Sequence, residues 1–292
     1  MIKIAVASGK GGTGKTFVAT NLFYSLLHDN QNAVLVDCDA EAPNAAAFFN
    51  TAAAESQEVT QLVPVIDTER CTFCGKCREY CNYNAIFILP PVKIINVIDE
   101  LCHGCGACSV ACEFDAITEK PVPLGNVSRL DIYGNTALIE ARSKIGVMSP
   151  VPVIKAALRK IDSIADIAVL DSPPGTSCPF IQTVSSADYV ILVTEPTPFG
   201  LSDLKQSVET LRILEKPFGV IINRSGIGNN KVQDYLLDEG ITLLLEIPYS
   251  KETARLYSMG RLPVEKDPSL ETQLLRVFDT IYEKDGVSDY KR

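Results

Sequence analysis

The sequence has no apolar run long enough to span a membrane. It has no lysine- and arginine-rich stretch dense enough to follow a phosphate backbone, and its net charge is −9. A charged-then-apolar leader is missing, because Met1 runs straight into an apolar segment. These absences argue against a membrane or a nucleic acid as partner and set the expectation of a cytoplasmic protein. In that compartment the ten cysteines are not expected to form disulfides, so they point to metal. A length of 292 residues allows one large domain or two, with a full core.

The chain is organised around residues 9–16, Gly-Lys-Gly-Gly-Thr-Gly-Lys-Thr. An apolar run, Ile2 to Ala7, reads as a buried strand before it, and Phe17 to Leu27 reads as a helix after it. Gly9, Gly14, Lys15 and Thr16 occupy the fixed positions of a phosphate-binding loop. Such a loop turns backbone N–H groups, here those of Gly11, Gly12, Thr13 and Gly14, around a phosphate. The helix N-terminus adds partial positive charge. Lys15 is expected at the β/γ-phosphates of ATP and the Thr16 hydroxyl on Mg²⁺. A second lysine, Lys10, is hard to justify as a ligand of its own chain's phosphate, because Lys15 already fills that role.

Further apolar segments end in polar residues. Residues 33–37 read as a strand closing on Asp37-Cys38-Asp39, with Asn44 following in a proline-broken stretch. Residues 167–171 read as a strand ending in Asp171, the arrangement that holds Mg²⁺ through water. Ser172-Pro173-Pro174-Gly175 follows, with the Gly175 N–H expected to sense a γ-phosphate. Residues 127–140 alternate around Tyr133-Gly134-Asn135 as a hairpin, and Ser149-Pro150 starts a helix to about Ile161. Strands are expected over 189–194, 218–223 and 242–247, and an amphipathic helix over 270–282. That helix lacks the basic face of a membrane-surface helix. The polar tail after about 284 is expected to fray.

Between these segments lies an internal repeat. Cys71, Cys74, Cys77 and Cys81 recur at constant offset as Cys102, Cys105, Cys108 and Cys112, and Ala85-Ile86 recurs as Ala116-Ile117. Each copy is C-x₂-C-x₂-C-x₃-C, the bacterial ferredoxin run, in which the fourth thiolate serves the other cluster. The expected ligand sets are Cys71, Cys74, Cys77 and Cys112 for one [4Fe-4S] cluster, and Cys102, Cys105, Cys108 and Cys81 for a second. Zinc favours two separated C-x₂-C pairs rather than this symmetry. Asn82 and Glu113 stand where a proline usually follows the fourth cysteine. His103 reads as a surface residue beside the second set, and Cys38 and Cys178 read as buried free thiols.

The loop with Lys10, the two acidic strand ends and Asn223 together resemble the MinD superfamily of P-loop ATPases; the cysteine repeat resembles a two-cluster ferredoxin inserted into one. The resemblance implies an α/β P-loop NTPase fold: a mostly parallel sheet with helices on both faces, plus a small inserted α+β ferredoxin-like domain. The ATPase domain would comprise 1–63 and 121–292, and the insert 64–120. It also implies that Lys10 reaches across a dimer interface to the partner's nucleotide. Asp39 would orient the attacking water and help hold Mg²⁺, Asn223 would read the adenine, and the Pro248 segment would pack against it. Thr194 to Thr197 would open a loop toward the dimer face. The function so implied is an ATPase, a homodimer or a heterodimer with a similar paralogue, that couples nucleotide state to electron transfer through two [4Fe-4S] clusters to a redox or metalloprotein partner. Two alternatives stand beside it: an iron–sulfur or metal-centre maturation ATPase of the Mrp or CooC kind, and a spatial regulator or scaffold with structural clusters.

Overall fold

In the computed structural model, residues 1–132, 136–161 and 165–284 are described. The hairpin tip at 133–135 and the tail after 284 lie outside them. The chain opens as anticipated: β1 (Ile2–Ala7), α1 (Lys15–His28) and β2 (Ala33–Asp37). β3 (Thr51–Ile66) then leads into the cysteine-rich segment. That segment holds α2 (Lys76–Glu79), β4 (Ile86–Leu89), β5 (Ile94–Val97) and α3 (Ala107–Val110). The chain returns through β6 (Ile117–Ile132) and β7 (Thr136–Ser143). Next come α4 (Val151–Arg159), β8 (Ile167–Asp171), α5 (Cys178–Ser185), β9 (Tyr189–Thr194) and α6 (Pro198–Ile213). It ends with β10 (Phe218–Ser225), α7 (Lys231–Asp238), β11 (Leu243–Pro248), α8 (Lys251–Ser258) and α9 (Pro268–Lys284).

Nine strands form one sheet in the order β11-β10-β9-β1-β8-β2-β7-β6-β3. From β11 to β7 every pairing is parallel; β6 and β3 run antiparallel at one edge. Strands covered on both faces read as continuous apolar runs, which is why β1, β2, β8 and β9 were visible in the sequence. One face packs under α1 and α9 around Phe23, Leu26 and Leu274. The other packs under α4 to α7 around Ile154, Phe180 and Leu204. Each such fully buried side chain contributes about 1.5–3 kcal/mol.

β3 and β6 are each 16 residues long. β6 pairs with β7 only from Gly125, opposite Ser143, to Ile132. Residues 117–123 therefore pair with β3 alone, forming a two-stranded ribbon that continues past the sheet. Because β7 lies parallel to β2, this is the edge at which β1, β2 and β8 end. The cysteine-rich segment sits on the ribbon's end, with its own two-stranded sheet β4-β5 and a small core of Ile86, Ile88 and Ile95 with Cys77 and Cys108. The ribbon is continuous through residues 63–64 and 120–121: Val63 pairs with Lys120 and Pro64 with Glu119.

Candidate functional site

The parallel register brings the polar strand ends together. Val6 lies beside Asp171 on β8, and Asp37 lies beside Asp171 on β2. The loop that leaves β1 thus emerges beside two adjacent acidic strand ends, those of β8 and then β2, at the carboxyl edge where open α/β sheets bind ligands. Gly12 and Gly14 take φ of 80° and 101°, in the left-handed region. Gly14 also has no room for a Cβ, which would strike the Asn223 amide.

Lys15 is buried and, in this conformation, donates to the Lys10 carbonyl at 3.3 Å. Burial lowers its pKa, against the opposing pull of Asp171 and Asp39. Asp171 is 1% exposed, and neither carboxylate oxygen has a hydrogen-bond partner in the chain. Burial pushes its pKa up to about 7, while the adjacent Thr16 hydroxyl and Lys15 ammonium pull the other way. Asp39 is raised too, first by burial, with Lys15 opposing. Two carboxylates and a hydroxyl around Lys15 form the hard-oxygen set that suits Mg²⁺, which is held by one or two carboxylates together with substrate phosphates. Among the described residues no group of three or more His, Cys, Asp or Glu side chains is gathered as a metal site.

Asp37 does different work. One of its oxygens accepts from the Asp39 N–H at 3.1 Å, and the other accepts from Asn44 and Ala45 at 2.9 Å each. It staples the loop that carries Asp39. The Gly175 N–H donates to the Ser8 carbonyl at 3.1 Å, tying the segment after β8 to the start of the phosphate loop. Asn223 donates to the Thr13 carbonyl at 2.8 Å, and its own oxygen accepts from the Arg224 N–H.

A cavity of about 400 Å³ opens over this loop. Asp39 and Asn44 line it, with Asn223, Pro248 and Tyr257. Sequence reading missed Tyr257. Its ring packs on Phe17 and stacks on Phe48 at 4.6 Å, and burial raises its pKa to about 12, with Asp171 and Asp37 adding to the shift. No local motif marks it, since α8 reaches the cavity only through the tertiary fold. Glu195 was also missed as a partner of Lys10: their side chains meet at 2.6 Å.

At the ribbon's end the eight repeat cysteines divide around two cavities. Cys71, Cys74, Cys77 and Cys112 line one; Cys81, Cys102, Cys105 and Cys108 line the other. Backbone N–H groups of Phe73, Ala85 and Gly104 donate to the sulfurs of Cys71, Cys81 and Cys102 at 3.4, 3.3 and 3.4 Å. All ten cysteines are free. His103 is exposed and stacks on Tyr83 at 3.8 Å. Cys38 is buried as expected, whereas Cys178 is exposed: it begins α5 at the end of a loop, before the helix turns its apolar face inward.

The fold and site define a MinD/ParA-type nucleotide-binding domain. Residues 4–264 match the model of the CobQ/CobB/MinD/ParA nucleotide binding domain, and the chain belongs to that family. An uncharacterized protein of Methanocaldococcus jannaschii is 31% identical over 89% of this chain and 90% of its own length. An iron-sulfur cluster carrier protein of Pyrococcus horikoshii is 23% identical over 75% of this chain and 60% of its own length. The structure of the septum site-determining protein MinD of Pyrococcus horikoshii, complexed with Mg-ADP, superposes with a TM-score of 0.60 at 17% identity, covering 98% of both chains. Among the described residues no helix is long and apolar enough to cross a membrane.

Proposed function

We propose that this protein is a Mg²⁺-dependent ATPase whose nucleotide state, read in a dimer, controls electron transfer through two [4Fe-4S] clusters held on the β3–β6 ribbon. The observation that carries this reading is placement. The eight cysteines fall into the two sets that the ferredoxin run requires, Cys71, Cys74, Cys77 and Cys112 against Cys102, Cys105, Cys108 and Cys81. They do so beyond the sheet edge that also carries the phosphate loop. The fit is chemical as well. A cubane takes one thiolate at each of four separate corners, so its ligands need not converge on a point, and N–H donors to sulfur stabilise bound thiolates. When bound, the clusters supply one-electron chemistry.

The chain's own residues would then divide the work. Gly9 to Thr16 bind the phosphates, and Lys15 balances their charge. Thr16, Asp39 and Asp171 hold the metal, and Asp39 orients water. Gly175 follows the γ-phosphate, Asn223 and Pro248 bound the base, and Lys10 crosses to the partner's nucleotide. Residues 64–120 act as the inserted cluster domain, with 1–63 and 121–292 as the ATPase. The dimer partner is a second copy or a similar paralogue.

A second reading, a maturation ATPase that hands clusters on, is favoured by the likeness to proteins named iron-sulfur cluster carriers. Against it, two closed four-thiolate sets hold clusters rather than release them. The test is spectroscopic. Anaerobically prepared protein should carry two cubanes, and Cys112→Ala should remove one while sparing the other. Loss of both, or a zinc-loaded chain with no reducible cluster, would contradict the assignment.

A further inference from the structure

Lys10 is the residue on which the dimer reading depends, yet its ammonium is already occupied. It meets Glu195 Oε1 at 2.6 Å within its own chain, with the two side chains 27% and 14% exposed. The other oxygen of Glu195 accepts from Arg224 at 3.0 Å. Two cations thus share one half-buried carboxylate. Burial would raise the Glu195 pKa, but Lys10 and Arg224 outweigh it and hold the carboxyl below its ordinary value.

The backbone of Lys10 is fixed independently of this pair. Its carbonyl accepts from the Ser8 hydroxyl at 2.6 Å and from Lys15 at 3.3 Å. Only the lysine side chain is therefore free to change partner. The carboxylate is held as well: Glu195 follows β9, and the Thr197 hydroxyl donates to Oε1, the oxygen that Lys10 meets, at 3.4 Å. Arg224 sits in the left-handed region at φ 56°, next to the Asn223 that grips the phosphate loop.

We infer that Glu195 is a positioning residue that retains Lys10 within its own chain until the dimer closes, while Arg224 keeps Glu195 neutralised once Lys10 leaves. This rests on the reading of Lys10 as a residue that acts in the partner's site. Release of Lys10 breaks one part-exposed ion pair, an interaction of about 1 kcal/mol. The Arg224 contact keeps the carboxylate from being left half-buried without a cation, which would cost more.

The test is a double-mutant cycle on the full chain, with dimerisation measured by sedimentation in a non-hydrolysable ATP analogue. Glu195→Gln keeps the shape and removes the charge. It should tighten the nucleotide-bound dimer about fivefold while leaving the monomer's affinity for the analogue unchanged, and it should do nothing in a Lys10→Ala background. A weaker dimer, or the same change with and without Lys10, would overturn the inference and leave the trans-acting lysine intact. If Lys10→Ala alone alters neither dimerisation nor turnover, the trans-acting reading itself fails, and this inference falls with it.

Discussion

A carboxylate 1% exposed, as Asp171 is at the end of β8, weakens the folded chain when it is ionised, because the Thr16 hydroxyl and Lys15 ammonium beside it offset only part of its burial. Its folded-state pKa of about 7 lies above the ordinary 3.8, so between those values the folded chain keeps a proton that the unfolded chain has released. Stability of the nucleotide-free protein should therefore fall as pH rises from about 4 to about 7 through Asp171, with Asp37, raised by burial and by Asp171, adding to the fall. Asp171→Asn should flatten that slope and raise the melting temperature at pH 8 by about 5 °C while abolishing Mg²⁺-dependent hydrolysis. Thermal melts across pH check the first effect, and an ATPase assay the second. An unchanged slope would mean that the side chain is hydrated or paired. At this scale Lys15, Thr16, Asp39 and Asp171 were legible because a motif or a strand end marks each of them. Glu195 and Tyr257 were not. Glu195 meets Lys10 across 185 residues of sequence, and Tyr257 belongs to a helix whose local pattern says nothing about the cavity it lines.

Among the elements, α1 serves two purposes: its first turn closes the phosphate loop and its body fills the core through Phe17, Leu22, Phe23 and Leu26. Gly14 is the joint between them. With φ at 101° and the Asn223 amide where a Cβ would go, Gly14→Ala should cost about 1–2 kcal/mol from backbone strain alone. It should also push Asn223 off the Thr13 carbonyl. Nucleotide binding should drop at least tenfold with the fold retained, as read by calorimetry and circular dichroism; wild-type affinity would show that the loop relaxes freely. The buried strands were readable from apolar runs alone. β3 was not, because its first half, Thr51 to Glu58, is alanine and polar residues without an apolar alternation, and its pairing slips twice, at Ala53/Glu55 and Val59/Thr60. The same edge polarity discourages pairing with another chain's strand. Expected and observed helix ends differ by a residue or two, as at α4, which starts at Val151 after Pro150.

For the molecule as a whole, the decisive feature is direction. The ribbon could have continued past either edge of the sheet. It continues past the edge where β1, β2 and β8 deliver the phosphate loop, Asp39 and Asp171. The repeat told of two cysteine sets, and their position after the first acidic strand end hinted at this side. The length of the ribbon came only with the pairing of β3 and β6. A nucleotide-driven closure at this edge would act on the cysteine-rich segment as well as on the nucleotide site. The most direct measurement of that coupling is the reduction potential of the two proposed clusters in anaerobically prepared protein without nucleotide, with ADP and with a non-hydrolysable ATP analogue. The account predicts a shift of tens of millivolts between the empty and ATP-analogue states, where roughly 59 mV is a tenfold change in a one-electron equilibrium. Identical potentials in all three states would contradict it.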